Sequence, residues 1–404
     1  MPPSPRPAMA FGEFVAFIAA CMALNAMSID IMLPALPQLH ADFQLATPNQ
    51  AQAVIASFLV GTGISQLFYG PLADCHGRRP VLIGGLILYI AAGVLATIAD
   101  SFATLLAARV LQGVGAGAPR VMATSLARDC YAGAQMVKVM SLAMMVFMIV
   151  PVLAPSVGQI TLLAAPDWHW VFGLLVVAGG ATLWWTIRKL PETLPPEHRL
   201  PLAPRALYGA YRQTVTTRRC IGYAVALALV VGAHMGFIYS AQQIFVEVFD
   251  ARRSFTVLFA LIALTTGLAA FINSRLVHRF GMRRLGMAGL TAIAVINIFH
   301  LGFALAGRES LLIFMLLQGA SVFTFGILAA NLNAMAMEPM GHIAGTASSM
   351  IGFVSTVGSA LVGLAIGHMF NGSVSPLVGA YVVLALCALA IAYFTEKPAQ
   401  EGSR

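Results

Sequence analysis

GPLADCHGRR (residues 70–79) stands between two long apolar runs, 50–73 and 80–98, and its reading decides the fold. An α-helix needs roughly 20 apolar residues to cross a hydrocarbon core of about 30 Å. Each flanking run has that length, so the charged stretch with Asp74, Arg78 and Arg79 is the turn between two membrane helices. The pattern recurs along the chain, with twelve such runs at 11–33, 50–73, 80–98, 102–125, 136–160, 168–189, 220–245, 254–276, 284–305, 309–335, 343–368 and 376–394. The 404 residues are 59% hydrophobic and 9% charged, with mean hydropathy +0.85. Soluble domains are about 45–50% apolar and about 25% charged. The expected class is an all-α membrane protein with twelve transmembrane helices in two six-helix bundles.

Placing the N-terminus in the cytoplasm puts Arg78, Arg79, Arg128, Lys138, Arg188, Lys189 and the basic residues of 199–219 and 275–284 on one side, and Arg252, Arg253 and Arg308 on the other. Cytoplasmic loops carry the excess of Lys and Arg, so both termini are expected in the cytoplasm. Trp168 and Trp170 then mark the outer interface and Trp184 and Trp185 the inner one. The net charge of +8 follows this topology and argues against nucleic-acid binding. Cys21 and Cys387 fall within spans and Cys75, Cys130 and Cys220 face the cytoplasm, so no disulfide is expected. The N-terminal apolar run contains Asp30 and lacks a small-residue cleavage site, which makes it a first span rather than a signal peptide.

The longest polar interruption, 190–219, contains Pro191, Pro195, Pro196, Pro201 and Pro204. It divides the chain into an N-terminal bundle (1–189), a central cytoplasmic loop (190–219) and a C-terminal bundle (220–404). LADCHGRR (72–79) is echoed by LVHRFGMR (276–283), and LQGVG (111–115) by LQGAS (317–321), at offsets of about half the chain. That is the mark of a duplicated six-helix unit. Parallel repeats with binding at the midplane between them are a transporter architecture.

Several side chains within or beside the spans carry chemistry. In the 70–79 turn, Gly70 permits close helix approach, Asp74 can accept from backbone N–H groups at a neighbouring helix N-terminus, and Arg78 and Arg79, after Gly77, can bridge to acidic or carbonyl groups. Such contacts can latch the two halves together. Arg109 lies about 10 Å into span 4 from its outer end, where a charge requires a partner. The glycines after it, through Gly117, read as helix packing rather than a phosphate loop, because no strand precedes them. Pro151, Pro155 and Gly158 kink span 5 and allow close packing. In NAMSIDIMLPALP (25–37), Asp30 falls in the outer third of span 1 at a depth similar to that of Arg109, so the two are expected to meet as a proton site. Arg120 follows Arg109 by eleven residues on nearly the same helical face. With Gln112, His234, Tyr239, Gln318 and Asn331 it makes the candidate set for a substrate cavity.

GPLADCHGRR resembles the loop 2–3 signature of the major facilitator superfamily, and ARVLQGVGAGA (108–118) resembles its span 4 signature, associated with proton coupling. The Ala-Pro-x-x-Gly of span 5 is similar to its antiporter motif. Together with SIDIMLPALP (28–37) and ARDCY (127–131), these stretches look like the Bcr/CflA-type drug:proton antiporters. The resemblance implies a proton-coupled exporter of small molecules in a bacterial inner membrane, working by alternating access. Export of an endogenous metabolite, such as a siderophore or amino acid, is the alternative. Neither HExxH nor GxSxG is present, so an enzyme is not expected, and no nucleotide loop points to ATP. The expected partners are a small-molecule substrate, protons and the lipid bilayer, with no cofactor or metal and a monomeric state.

Overall fold

The computed structural model describes residues 9–165, 167–199, 201 and 204–396. Within these residues fourteen α-helices follow one another: α1 (Phe11–Asp30), α2 (Leu36–Asp42), α3 (Ala53–His76), α4 (Arg78–Thr97), α5 (Phe102–Cys130), α6 (Gly133–Ala164), α7 (His169–Lys189), α8 (Pro204–Thr216), α9 (Arg218–Gln243), α10 (Phe255–Phe280), α11 (Met282–Leu305), α12 (Leu311–Met337), α13 (Ala344–His368) and α14 (Ser375–Glu396). Among the described residues there is no strand. Each apolar run of the sequence falls on one long helix, and α2 and α8 are additional. Among the described residues, eleven helical stretches are long and apolar enough to cross a membrane. The twelfth long helix is the 29-residue α5, set apart by Arg109, Gln112 and Arg120.

The helices pair in two matching sets. In the first half α3 and α4 pack on α5, α4 on α7, and α1 on α5 and α6; in the second, α10 and α11 pack on α12, α11 on α14, and α9 on α12 and α13. The halves meet along α3 with α13 and along α6 with α10, which are themselves equivalent seams. Small residues set the tightest crossing. A Cβ on Gly113 would lie 2.0 Å from the Phe58 carbonyl oxygen, and one on Gly61 2.0 Å from that of Val110, so α3 and α5 touch backbone to backbone. Gly77 and Gly281, at corresponding hairpins, both adopt positive φ (+102° and +78°).

Two features depart from simple spans. Pro34 has no N–H to bond the Asp30 carbonyl, so α1 ends there and the chain continues through a short 3₁₀ turn into α2. Within the polar 190–219 segment, 204–216 forms α8, which begins with Pro204 at its first turn, as proline permits. It packs against α13 and α9. Its Tyr211 hydroxyl donates to the Leu67 carbonyl of α3 at 2.6 Å. The face of the molecule carrying α8 and the 70–79 turn also holds the cations around Arg188, Arg218 and Arg283; it is the basic face, and the α2 end is the opposite face.

Candidate functional site

Arg109 forms the polar centre of the first half. Its side chain is fully buried. Nε donates to the Val54 carbonyl at 3.1 Å, Nη1 to Gln112 Oε1 at 2.7 Å and Nη2 to the Ser28 carbonyl at 2.7 Å. The guanidinium lies over the rings of Phe58 (4.4 Å) and Phe172 (5.6 Å). Helices α1, α3, α5 and α7 thus share one cation, held by neutral oxygens and aromatic faces. Ser28 Oγ donates to the Leu24 carbonyl and lies 2.7 Å from the Tyr89 hydroxyl, which fixes the α1 turn that Arg109 grips.

Asp30 lies two residues beyond Ser28 and is 4% exposed. Its Oδ1 is buried without a hydrogen-bond partner. Arg109 and Asp30 converge on the same stretch of α1 but form no ion pair; the guanidinium donates instead to the Ser28 carbonyl. Tyr239 of α9 brings a buried hydroxyl, itself without a partner, near enough to Arg109 to interact electrostatically. The ionising cost of a dry, unpartnered carboxyl ties its protonation to the hydration of its surroundings.

The other cavity candidates separate into two groups. Gln318 donates to the Tyr381 hydroxyl (3.2 Å) and Asn331 to Asn273 Oδ1 (2.7 Å), so they join α12 to α14 and α10. Gln112 serves Arg109. His234, half-buried, stacks on Phe325 at 4.1 Å between ring centres, with Nδ1 unpartnered. Arg120 is exposed.

At the basic face Arg78 donates from Nη1 to Asp74 (2.6 Å) and from Nε to Asp129 (3.0 Å). The carboxylate that caps the N-terminus of α4 is Glu192, which accepts from the backbone N–H groups of Arg78 (2.9 Å) and Arg79 (3.2 Å). Arg79 Nη2 donates to the Ile187 carbonyl. All these partners belong to the first half or to the segment just after α7, so the cluster binds α3, α4, α5 and α7 to one another rather than the two halves. A Cβ on Gly70 would lie 3.5 Å from Ser349 Oγ of α13. In α6, Pro151 and Pro155 lie within a continuous helix. A Cβ on Gly158 would lie 2.3 Å from the Ile31 carbonyl oxygen, so α6 packs directly on the break after α1.

At the opposite face the halves are clasped by amides. Gln52 donates to Gln243 (2.8 Å), Gln243 to Asn49 (2.7 Å), and Asn49 to the carbonyls of His368 (3.2 Å) and Phe370 (3.1 Å). Between the halves above this clasp is a cleft of about 170 Å³, lined by residues including His40, Gln242, Glu247 and Arg252.

The family model of the Major Facilitator Superfamily matches this chain over residues 18–363. The chain belongs to that superfamily. It is 26% identical over 381 residues to a bicyclomycin resistance protein homolog of Haemophilus influenzae, covering 93% of this chain and 94% of the relative. It is 27% identical over 375 residues to the multidrug resistance protein MdtL of Escherichia fergusonii, covering 93% of each. A crystal structure of a D-xylose-proton symporter shares the fold at TM-score 0.74 and 16% identity, covering 96% of this chain and 99% of that one. This facilitator is therefore a multi-pass membrane transporter of small molecules rather than an enzyme. Its sequence did not single out Glu192, Asp129, Asn49, Gln52, Gln243 or Tyr211. For Glu192 a signal existed: Glu396 follows it by the interval that separates Gly77 from Gly281, and Glu396 pairs with Arg283 (2.6 Å) and Tyr223 at the equivalent corner.

Proposed function

We propose that this facilitator exports drugs across a bacterial inner membrane in exchange for protons, as a monomer, with its basic face and both termini in the cytoplasm. The observation that carries the reading is Asp30, buried beside the Arg109-bound turn of α1 with Oδ1 unpartnered. Opening the opposite face would bring outside water, and a proton, to this carboxyl. Closing it again, with the amide clasp formed, carries the proton inward. Arg109, held by groups other than Asp30, keeps a fixed positive charge beside the site in both states. The names of the bicyclomycin resistance homolog and of MdtL support a drug as substrate over an endogenous metabolite.

The test is Asp30→Asn in proteoliposomes, with bicyclomycin as the first substrate and a pH-sensitive dye inside. The amide cannot exchange a proton, so substrate-dependent proton movement is expected to vanish while the variant still inserts and melts as the parent does. Undiminished proton flux would remove Asp30 from the mechanism.

A further inference from the structure

Arg120 is the charged side chain of the membrane interior that the coupling centre leaves unused. Its direction follows from helix geometry. On α5, Leu111 is 43% exposed and marks the outward face. Arg120 comes nine residues later, which at about 100° per residue turns it about 180° from Leu111 and leaves it about 20° from Arg109. Arg109 on that face is fully buried by α1, α3 and α7, yet Arg120 is exposed. A side chain that points into the bundle and still meets solvent lines an internal opening.

Among the described residues Arg120 has no ion pair, hydrogen bond or ring partner. Of the acids on its side of the molecule, Asp74 and Asp129 are engaged by Arg78, Glu192 by the start of α4, Glu396 by Arg283 and Glu13 by Lys189, while Glu197 and Glu338 form no ion pair with Arg120. Thr124 and Arg128, one and two turns further along the same stripe of α5, are exposed as well, so the opening continues to the basic face. A guanidinium kept in the interior without a protein counter-charge is compensated by water and by what enters the cavity. Its planar fork of donors matches two oxygens of one anionic group better than any neutral acceptor.

We infer that Arg120 is a substrate-binding residue and that the cavity takes small molecules bearing an oxyanion, a carboxylate, sulfonate or phosphonate, anchored by a two-point contact to its guanidinium. This rests on the transporter reading above and sharpens it. With Arg109 and Arg120 facing inward and Asp30 as the buried acid, a lipophilic cation would meet net repulsion.

The experiment measures binding to the purified full-length protein in detergent, where no gradient is needed. Indole-3-acetate, naphthalene-2-sulfonate and phenylphosphonate are each compared with an uncharged counterpart (indole-3-acetamide, naphthalene-2-sulfonamide and dimethyl phenylphosphonate) by thermal shift and calorimetry. The expected result is that at least one acid stabilises the parent and its counterpart does not. Arg120→Gln should weaken that acid by about tenfold or more, and Arg120→Lys, which keeps the charge without the fork, by less. Binding of the neutral counterparts alone, binding of no acid, or equal affinity in Arg120→Gln overturns the inference. So does phosphatidylglycerol stabilising the parent through Arg120 when none of the acids does, since the partner would then be lipid. The acid-against-neutral comparison in the parent is decisive even if Arg120→Gln fails to fold. Arg120-dependent binding without any transport in vesicles would keep the inference and remove the exporter reading; transport of neutral drugs without such binding would do the reverse.

Discussion

Gly77 is the residue on which the basic-face cluster turns. Its φ of +102° with ψ of 160° is a region that costs other residues about 1–3 kcal/mol. A Cβ there would also lie 2.4 Å from Glu192 Oε2, pushing the carboxylate off the start of α4. Gly77→Ala is therefore expected to lower the melting temperature of the purified protein, and Glu192→Ala to cost about 0.5–2 kcal/mol as a lost cap. Because both changes remove the same cap, the double variant should lose less than the sum of the two, a non-additivity that thermal unfolding measures directly. The glycine and the arginines were legible in GPLADCHGRR because charge and turn residues stand out between apolar runs. Glu192 was not, since it reaches Arg78 from 114 positions away. The same holds for Arg109: its presence in a span announces a buried cation, but two of its three acceptors are the backbone carbonyls of Ser28 and Val54, which no side-chain pattern reveals.

Helix α8 and helix α3 are joined through a defect. Pro71 has no N–H, so the Leu67 carbonyl one turn earlier lacks its helical donor, and the Tyr211 hydroxyl fills the place at 2.6 Å. Since α8 also packs on α13, the connecting segment holds both halves at the basic face. Tyr211→Phe should remove about 0.5–1.5 kcal/mol of this attachment. Faster hydrogen exchange across 204–216, with little change in α3 above Leu67, is the expected readout; unchanged exchange would show that packing alone holds α8. The apolar helices were legible from length, and even the polar α5 from its flanks. Helix α8 was hidden, because five prolines and a run of cations describe a loop until a surface exists for the helix to lie on. Proline likewise concealed α2, since Pro34 and Pro37 mark a break in α1 without saying that helix resumes.

Across the whole molecule, the duplicated halves were visible in two echoes of the sequence, and the paired contacts of α3 with α5 and α10 with α12 realise them. The seam between the halves was not visible, because Asn49, Gln52 and Gln243 are ordinary polar residues near span ends until the fold sets them against His368 and Phe370. Gln243→Ala breaks two bonds of this clasp, and at about 0.5–1.5 kcal/mol each the population open at the opposite face should rise roughly tenfold. Spin labels on residues 48 and 371 would report longer distances if so, and an unchanged distribution would show that the clasp does not hold this face closed. The buried acids bear on energetics too. Among the described residues Asp30 is the one fully buried carboxyl, and a single exchangeable site passes one proton per turn of the proposed cycle. For an uncharged cargo that limits the concentration ratio across the membrane to about 50-fold for each 100 mV of proton-motive force. A monoanion leaving an inside-negative cell moves with the field as well, so when the force is all electrical the attainable ratio is squared, and the sign of the cargo sets how steep a gradient one carboxyl can sustain.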